Sequence, residues 1–304
     1  MKPAPFEYFA PDSLKEALDL MSQYAGEAKI LAGGQSLVPA MNFRVVQPTQ
    51  LIDLNRISTL SYIQEDNHSI RVGAMTRERQ LEFDSSIARR VPLLYEAVPY
   101  IAHPQIRNRG TIGGSLVNAD PAAELPVLMF ALEARLKAQS KSGERWVNAR
   151  DFFVGMFTTA LEPDEILVEV ELPVDSSRTG WSFMEVAPRA GDYALMGVAA
   201  LVTLDANGKC DRAKLVYLNA GEGPVETPEA EKLLMGQILS DELVEAAASS
   251  ASEKEMNPFG NIHTSPEFQK HLAHVLTRKA LKQANQRAED SFNDPVYSHH
   301  RHGQ

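Results

Sequence analysis

The sequence predicts an α+β chain of two domains, and three observations carry that reading. Near the N-terminus, a capped amphipathic helix is followed by short apolar strands. After a polar break at residues 173–180, three strand-like runs follow one another, with an Asn207-Gly208 turn between the second and third. Residues 266–287 then have the spacing of a long amphipathic helix.

Residues 6–10 are short and aromatic between prolines, which suits an edge strand. Ser13 precedes Leu14, Ala17, Leu18 and Met21, with Glu16 three residues on. That is a capping box opening an amphipathic helix, expected to end near Gly26. Residues 29–32 read as a strand running into Gly33 and Gly34, and further strands fall at 51–54 and 69–73. Strand, helix, strand, loop, strand makes a mixed fold. Leu81, Ile87, Val91, Leu94 and Val98 fit two helices broken near Asp84 and Ser85. Polar sequence around residues 103–108 leads to the segment 111–114. A helix is expected over 123–134, where Pro126 is tolerable only in the first turn. Residues 135–138 and 145–147 pair about a turn at 140–143. Residues 166–172 alternate with acidic side chains as a half-exposed strand does.

The break at 173–180 is the expected domain boundary. Beyond it, residues 181–186, 197–205 and 213–219 form an antiparallel sheet, and helices cover 228–235 and 240–250. Residues 255–265 are turn-like. His299, His300 and His302 sit in a polar tail, where a frayed terminus accounts for them better than a metal site. The sequence contains no internal repeat.

Composition narrows the function. For a 304-residue chain that is 44% hydrophobic and 23% charged, about three-quarters of the unfolded surface should be buried. Thirty Lys and Arg against 40 Asp and Glu leave a net charge of −10, which gives no general attraction to a phosphate backbone or an anionic membrane. Cys210 is the single cysteine. It cannot form an internal disulfide, nor hold an iron–sulfur cluster or a structural zinc unaided. No apolar run reaches about 18 residues, and Pro3, Pro5 and Pro11 stand where a secretory signal needs its apolar core. A cytoplasmic protein is the plain expectation.

Two glycine pairs carry most of the functional information. In Ile30-Leu31-Ala32-Gly33-Gly34-Gln35-Ser36-Leu37, an apolar strand runs into two glycines and a hydroxyl. Such a turn lets successive N–H groups line an anion-binding nest, although for one such pair alone an ordinary turn is the better account. Arg109-Gly110-Thr111-Ile112-Gly113-Gly114-Ser115-Leu116 repeats the theme, with Asn118, Asp120 and Glu124 downstream. Neither segment is a Rossmann fingerprint or a P-loop. Two nests converging on one diphosphate, with no phosphate-reading lysine, point to a dinucleotide bound through backbone groups.

The strings Ala32-Gly33-Gly34-Gln35-Ser36-Leu37, Thr111-Ile112-Gly113-Gly114-Ser115-Leu116 and Ala119-Asp120-Pro121-Ala122-Ala123-Glu124-Leu125-Pro126 resemble the FAD-binding medium subunit of the molybdenum hydroxylases. That family includes carbon monoxide dehydrogenases and multi-subunit relatives of xanthine dehydrogenase. Arg189-Ala190-Gly191-Asp192-Tyr193-Ala194 and Ile262-His263-Thr264-Ser265-Pro266-Glu267-Phe268 also resemble it, so the likeness covers nearly the whole chain.

The resemblance implies a two-subdomain FAD-binding domain of the vanillyl-alcohol-oxidase (PCMH) type over residues 1–175, with subdomains of about 1–56 and 57–175. A C-terminal α+β domain with a three-stranded antiparallel sheet follows over 176–288, and a polar tail over 289–304. It further implies that Ala32, Gly33, Gly34, Gln35 and Ser36 cradle one side of the FAD pyrophosphate, and Thr111, Ile112, Gly113 and Gly114 the other. Asn118 would touch the flavin portion, and Glu124 would accept hydrogen bonds from the ribityl hydroxyls. Many relatives carry Asp at the latter position. Gln35 replaces a histidine of some relatives. Ile101 and Tyr193 would flank the isoalloxazine ring, though core packing explains the first and a domain interface the second. Arg189 and Asp192 are expected either to pair with each other or with nearby backbone, or to contact the flavin directly.

No protein acid–base pair is expected to carry the chemistry, and no metal site is assigned to this chain. The resemblance implies an electron-transfer subunit of a heterotrimer. A large subunit would carry the molybdenum cofactor and a small one two [2Fe–2S] clusters, and electrons would reach this FAD and then an external acceptor. An N-heteroaromatic or related small molecule is the expected substrate, and a dimer of heterotrimers is open. A free-standing FAD-dependent oxidoreductase and a flavin-free bridging subunit are the alternatives.

Overall fold

The computed structural model describes residues 1–174 and 178–293. Strands β1 (Glu7–Phe9) and β2 (Ala28–Leu31) both pair in parallel with β3 (Gln50–Asp53), so β1 is an edge strand as expected. Helix α1 (Leu14–Gln23) connects β1 to β2. Ser13 accepts a hydrogen bond from the Glu16 N–H at 3.2 Å, but the Glu16 carboxylate returns to the N–H of Asp12 rather than that of Ser13. The helix stops three residues before Gly26, and Tyr24 stacks on Phe9. Its buried Ala17, Leu18 and Met21 pack in one cluster with Ile52 and Leu54 of the sheet side. Helix α2 (Leu37–Asn42) occupies a stretch expected to be loop. Its Pro39 sits in the first turn, where proline is tolerated.

A five-stranded antiparallel sheet follows. It runs β4 (Ile63–Glu65), β5 (Ser69–Gly73), β10 (Ile166–Pro173), β6 (Arg135–Ser140) and β7 (Gly143–Asn148). The expectation of a half-exposed β10 fails, because β10 is the central strand and is buried along most of its length. Its acidic residues mark pairing across strands rather than a solvent face. Glu171 accepts from Arg135 Nε at 2.9 Å, and Glu169 accepts from the Tyr62 hydroxyl.

Between β5 and β6 the chain makes α3 (Glu78–Phe83), α4 (Ser85–Arg90), α5 (Pro92–Ala97), α6 (Pro104–Arg107), α7 (Ile112–Asn118) and α8 (Glu124–Ala131). The break at Asp84 is a cap, its Oδ1 accepting from the N–H of Ser86 at 2.8 Å and of Ile87 at 3.0 Å. Pro92 divides the second expected helix again. Pro126 lies in the first turn of α8, which ends three residues earlier than expected. Helix α9 (Ala149–Phe152) and the small ribbon β8 (Phe153–Gly155) with β9 (Thr158–Thr159) complete this half.

The C-terminal half contains the three long antiparallel strands expected, β11 (Thr179–Val186), β12 (Met196–Leu204) and β13 (Cys210–Leu218). A two-residue strand, β14 (Val225–Glu226), extends the sheet to four. Gly208 takes φ +76° in the turn between β12 and β13. Helices α10 (Pro228–Leu234), α11 (Asp241–Lys254) and α12 (Pro266–Asn293) pack on this sheet. Helix α12 runs six residues past its expected end. A Cβ on Gly180 would lie 1.9 Å from the Ala284 carbonyl oxygen, so α12 rests on β11 backbone to backbone. One apolar cluster joins Ile112, Leu116, Leu125 and Val170 to Phe183, Ala199 and Leu218, so both halves share a core.

Cys210 is buried, and burial pushes its thiol up to about 11, out of the reactive range. His299, His300 and His302 lie outside the described residues. Among the described residues, no helix is long and apolar enough to cross a membrane, and no group of His, Cys, Asp and Glu could hold a metal ion.

Candidate functional site

The chain leaves β2 over the end of the parallel sheet, and its next residues are arranged unevenly. Their carbonyls are tied back. That of Ala32 accepts from Asn55 Nδ2 at 2.8 Å, that of Gly33 from Gln35 Nε2 at 3.1 Å, and that of Gly34 from the Val38 N–H at 3.0 Å. Among the described residues, the N–H groups of Gly33, Gly34, Gln35 and Ser36 have no acceptor. Gly34 takes φ +76°, the left-handed turn of the chain that aims successive N–H groups to one side. Four donors without acceptors, and with the neighbouring acceptors already engaged, suit a multiply charged oxyanion. The Ser36 side chain makes no capping bond to α2 and is exposed beside them.

The second glycine segment behaves differently from the expected second nest. Thr111 caps α7, its Oγ1 accepting from the Gly114 N–H at 3.1 Å. The Ile112 N–H goes to the Thr76 carbonyl at 3.0 Å, and that of Gly113 to the Ala74 carbonyl at 2.9 Å. Of the backbone donors from Thr111 to Gly114, three are spent on the protein, and the Thr111 N–H has no acceptor among the described residues. Gly113 has a packing reason to be glycine: a Cβ there would lie 2.6 Å from the Ala74 carbonyl oxygen. Gly113 is required by packing after β5.

Nevertheless, the two segments, 80 residues apart, form one surface. A Cβ on Gly33 would lie 2.4 Å from the Arg109 carbonyl oxygen and 2.8 Å from Gly110 Cα. A Cβ on Gly114 would sit 3.5 Å from Ala32 Cβ. The first segment supplies the donors, and the second is the wall they lean on.

The other residues expected in the site lie on the turns between the two halves. A Cβ on Gly191 would fall 2.4 Å from the His103 ring and 3.0 Å from the Ala102 carbonyl oxygen, so the turn around Gly191 packs on residues 102 and 103. Ile101 is buried and its carbonyl accepts from Arg107 Nη1 at 2.7 Å, whereas Tyr193 is 72% exposed. Asn118 ends α7, and Glu124 opens α8 on the far side of a turn. Asn219 joins that turn to the C-terminal half: its N–H donates to the Pro121 carbonyl at 2.7 Å, and its Nδ2 to the Ala194 carbonyl at 2.9 Å. Arg189 and Asp192 meet only through backbone, the Asp192 N–H donating to the Arg189 carbonyl at 3.1 Å. Among the described residues, no ion pair links them. Three non-glycine residues here, Ala102, Ala119 and Asn219, take left-handed φ of 42°, 48° and 55°, a strain tolerated where surrounding structure enforces it.

Buried acids line the inside. Burial, with the Asp120 charge adding to it, pushes Glu124 up to about 7. Burial and the charge of Glu124 push both Glu78 and Glu185 up to about 8. One carboxylate oxygen of Glu78 and one of Glu185 are buried without a hydrogen-bond partner among the described residues. Arg107 is the nearby cation, but it is held by Glu82 at 2.9 Å and by backbone carbonyls. A carboxyl oxygen left in this way keeps its capacity to accept a hydrogen bond and costs free energy until one is made. Glu78, Glu185 and Asn219 carry no mark in the sequence, since only burial separates these two glutamates from the other acids.

The chain matches two family models end to end. These are the FAD binding domain in molybdopterin dehydrogenase over residues 4–175 and the CO dehydrogenase flavoprotein C-terminal domain over residues 181–284. It is 42% identical over 288 residues to the 6-hydroxypseudooxynicotine dehydrogenase complex subunit alpha of Paenarthrobacter nicotinovorans, covering 95% of this chain and 97% of that one. Among solved structures, carbon monoxide dehydrogenase from Hydrogenophaga pseudoflava superimposes with a TM-score of 0.91 at 36% identity, covering 94% of this chain and 99% of the other. Quinoline 2-oxidoreductase from Pseudomonas putida 86 does so with a TM-score of 0.90 at 37% identity, covering 95% and 99%. Both matched models cover the segments just described, and the chain belongs to the FAD-binding medium subunits of the molybdenum hydroxylases, the electron-transferring flavoprotein component of those oxidoreductases.

Proposed function

We propose that the FAD lies along this cleft with its diphosphate on the residue 32–36 turn. The observation that carries the assignment is the row of four acceptorless N–H groups from Gly33 to Ser36. Ala32 and the 111–114 segment (Thr111, Ile112, Gly113 and Gly114) back that turn by contact. Asn118 and Glu124 face the flavin portion and the ribityl hydroxyls, the Glu124 carboxyl serving as their acceptor. Ile101 and Tyr193 flank the ring, and the exposed Tyr193 face gains cover on binding. Bound FAD supplies the redox chemistry, while the protein's own work is to bind it, orient it and exclude water from one face. We assign residues 1–175 (subdomains of about 1–56 and 57–175) to the FAD-binding domain and 176–288 to the C-terminal one.

The chain works with a large subunit carrying the molybdenum cofactor and a small subunit carrying two [2Fe–2S] clusters, in the reducing cytoplasm, and delivers electrons to an external acceptor. An N-heteroaromatic or related small molecule is the substrate of the assembly. Support comes from relatives named for 6-hydroxypseudooxynicotine, caffeine and nicotine, at 42%, 40% and 37% identity.

Two measurements test this reading. Reconstitution of the folded chain with FAD, followed by its visible spectrum, should give a stoichiometric flavoprotein; a folded chain that takes up no FAD ends the assignment. Co-expression with the two partners and a panel of N-heteroaromatics should give turnover that the chain alone lacks. Tyr193→Ala is expected to change the flavin spectrum and potential while leaving subunit association intact. Redox titration and gel filtration check both halves of that expectation.

A further inference from the structure

Arg77 stands between β5 and α3, outside every segment assigned above, yet it bonds the second glycine segment directly and reaches the first through Asn55. Its backbone is fixed against the second one: the Glu78 N–H donates to the Gly110 carbonyl at 3.0 Å, and the Ile112 N–H to the Thr76 carbonyl at 3.0 Å, on either side of an Arg77–Thr111 bridge. Its own N–H donates to Gln80 Oε1 at 2.9 Å. The guanidinium then spans the seam. Nη1 donates to the Arg109 carbonyl, the oxygen against which Gly33 is packed. Nη2 donates to Asn55 Oδ1 at 2.6 Å. Asn55 in turn donates through Nδ2 to the Ala32 carbonyl at 2.8 Å, and its N–H is held by Asp53 Oδ1 at 2.8 Å.

We propose that Arg77 is a positioning residue that fastens the two glycine segments to each other through Asn55, and so sets how tightly the chain retains its flavin nucleotide. The inference rests on the reading that this cleft holds FAD. The geometry needs a planar fork with donors on two sides, which an arginine has and a lysine does not. Among the described residues, no carboxylate forms an ion pair with Arg77; its fixed bonds all go to neutral oxygens. The carboxylate that acts on its charge is that of Asp53, one residue further along the same network through Asn55. Tying the Ala32 carbonyl back through Asn55 also keeps that acceptor away from the diphosphate. Without the fork, the 32–36 turn and the 109–110 backbone lose the link that holds them in register.

The test uses the full chain and compares Arg77→Ala, Arg77→Lys, Asn55→Ala and the Arg77→Ala/Asn55→Ala double variant. FAD affinity, FAD dissociation rate and the unfolding midpoint of the flavin-free protein are measured for each. Arg77→Ala should weaken FAD binding by about 10- to 30-fold, in the range of losing hydrogen bonds to a charged group, and chiefly through faster dissociation. Asn55→Ala should have a similar effect, the double variant no more than the larger single effect, and Arg77→Lys should not restore binding. The flavin-free unfolding midpoint should barely move in any of them. Wild-type affinity within threefold in Arg77→Ala, full restoration by lysine, or simply additive losses in the double variant would each overturn the proposal. So would a fall in the flavin-free midpoint large enough to account for the lost FAD. A wild-type chain that binds no FAD instead defeats the underlying reading of the cleft, before any variant is compared.

Discussion

Gly33→Val is expected to abolish FAD retention in a chain that still folds. The new Cβ would arrive 2.4 Å from the Arg109 carbonyl oxygen and 2.8 Å from Gly110 Cα, both backbone atoms that cannot rotate away. The 32–36 turn must therefore lift off the wall it leans on, and its four N–H groups no longer converge. A loss of at least about 100-fold in FAD affinity follows, roughly 2.7 kcal/mol, seen as colourless protein after reconstitution. The parallel sheet and the apolar cluster beneath α1 do not involve this contact, so far-ultraviolet circular dichroism should stay close to wild type. Gly113→Val is the contrasting control. Its side chain would strike the Ala74 carbonyl at 2.6 Å in the buried seam between β5 and α7, so it should lower the unfolding midpoint as well as FAD content. Full FAD occupancy in Gly33→Val would refute the placement of the diphosphate.

The flavin-free chain should lose stability as pH rises from about 5 to 8. Burial raises the carboxyls of Glu78 and Glu185 to about 8 and those of Glu124 and Glu231 to about 7, all well above their unfolded values. A raised carboxyl binds its proton more tightly in the folded state. Its contribution is fully present below the unfolded pKa and is lost as pH climbs through the folded one. The groups facing the cluster are Arg107, Asp120 and Tyr193, and Arg107 is already committed to Glu82. Glu124 repels Glu78 and Glu185, while Glu231 stands apart beside Lys214, Glu226 and Arg150, so the effects of the first three do not add in full; a total of roughly 3–5 kcal/mol between pH 5 and 8 is the expected scale. Urea unfolding at pH 5.5, 7 and 8.5 measures it, and Glu78→Gln should flatten the slope. A stability that holds constant or rises across that range would contradict the burial of these groups as protonated acids.

The fold was legible where local chemistry agrees with tertiary structure. The Ser13 cap, the 69–73 strand, the Asn207-Gly208 turn and the three long C-terminal strands are strong local signals. Helices α2 and α7 were not, since Pro39 in one and paired glycines in the other read as loop when the N-terminal first turn is the place that tolerates them. The alternating acids of β10 gave a false exposed face, because Arg135 and Tyr62 from elsewhere in the chain cover them. The glycine pairs announced themselves, but that Gly33 packs on Arg109 and Gly113 on Ala74 depends on contacts distant in sequence. Arg77, Asn55, Asn219 and Glu78 act through partners up to about a hundred residues away, and nothing local distinguishes them.

The position of β10 has a consequence for how this protein is made. It is the middle strand of the five, bonded on one side to β5 and on the other to β6. Its Val168 carbonyl receives the Ala74 N–H at 2.9 Å, and Ala74 in turn supports Gly113. During translation, both glycine segments leave the ribosome well before the strand that props them. With the FAD placed as proposed, a nascent chain carries both glycine segments before β10 can brace them, and cofactor loading is then expected only once residue 173 has emerged.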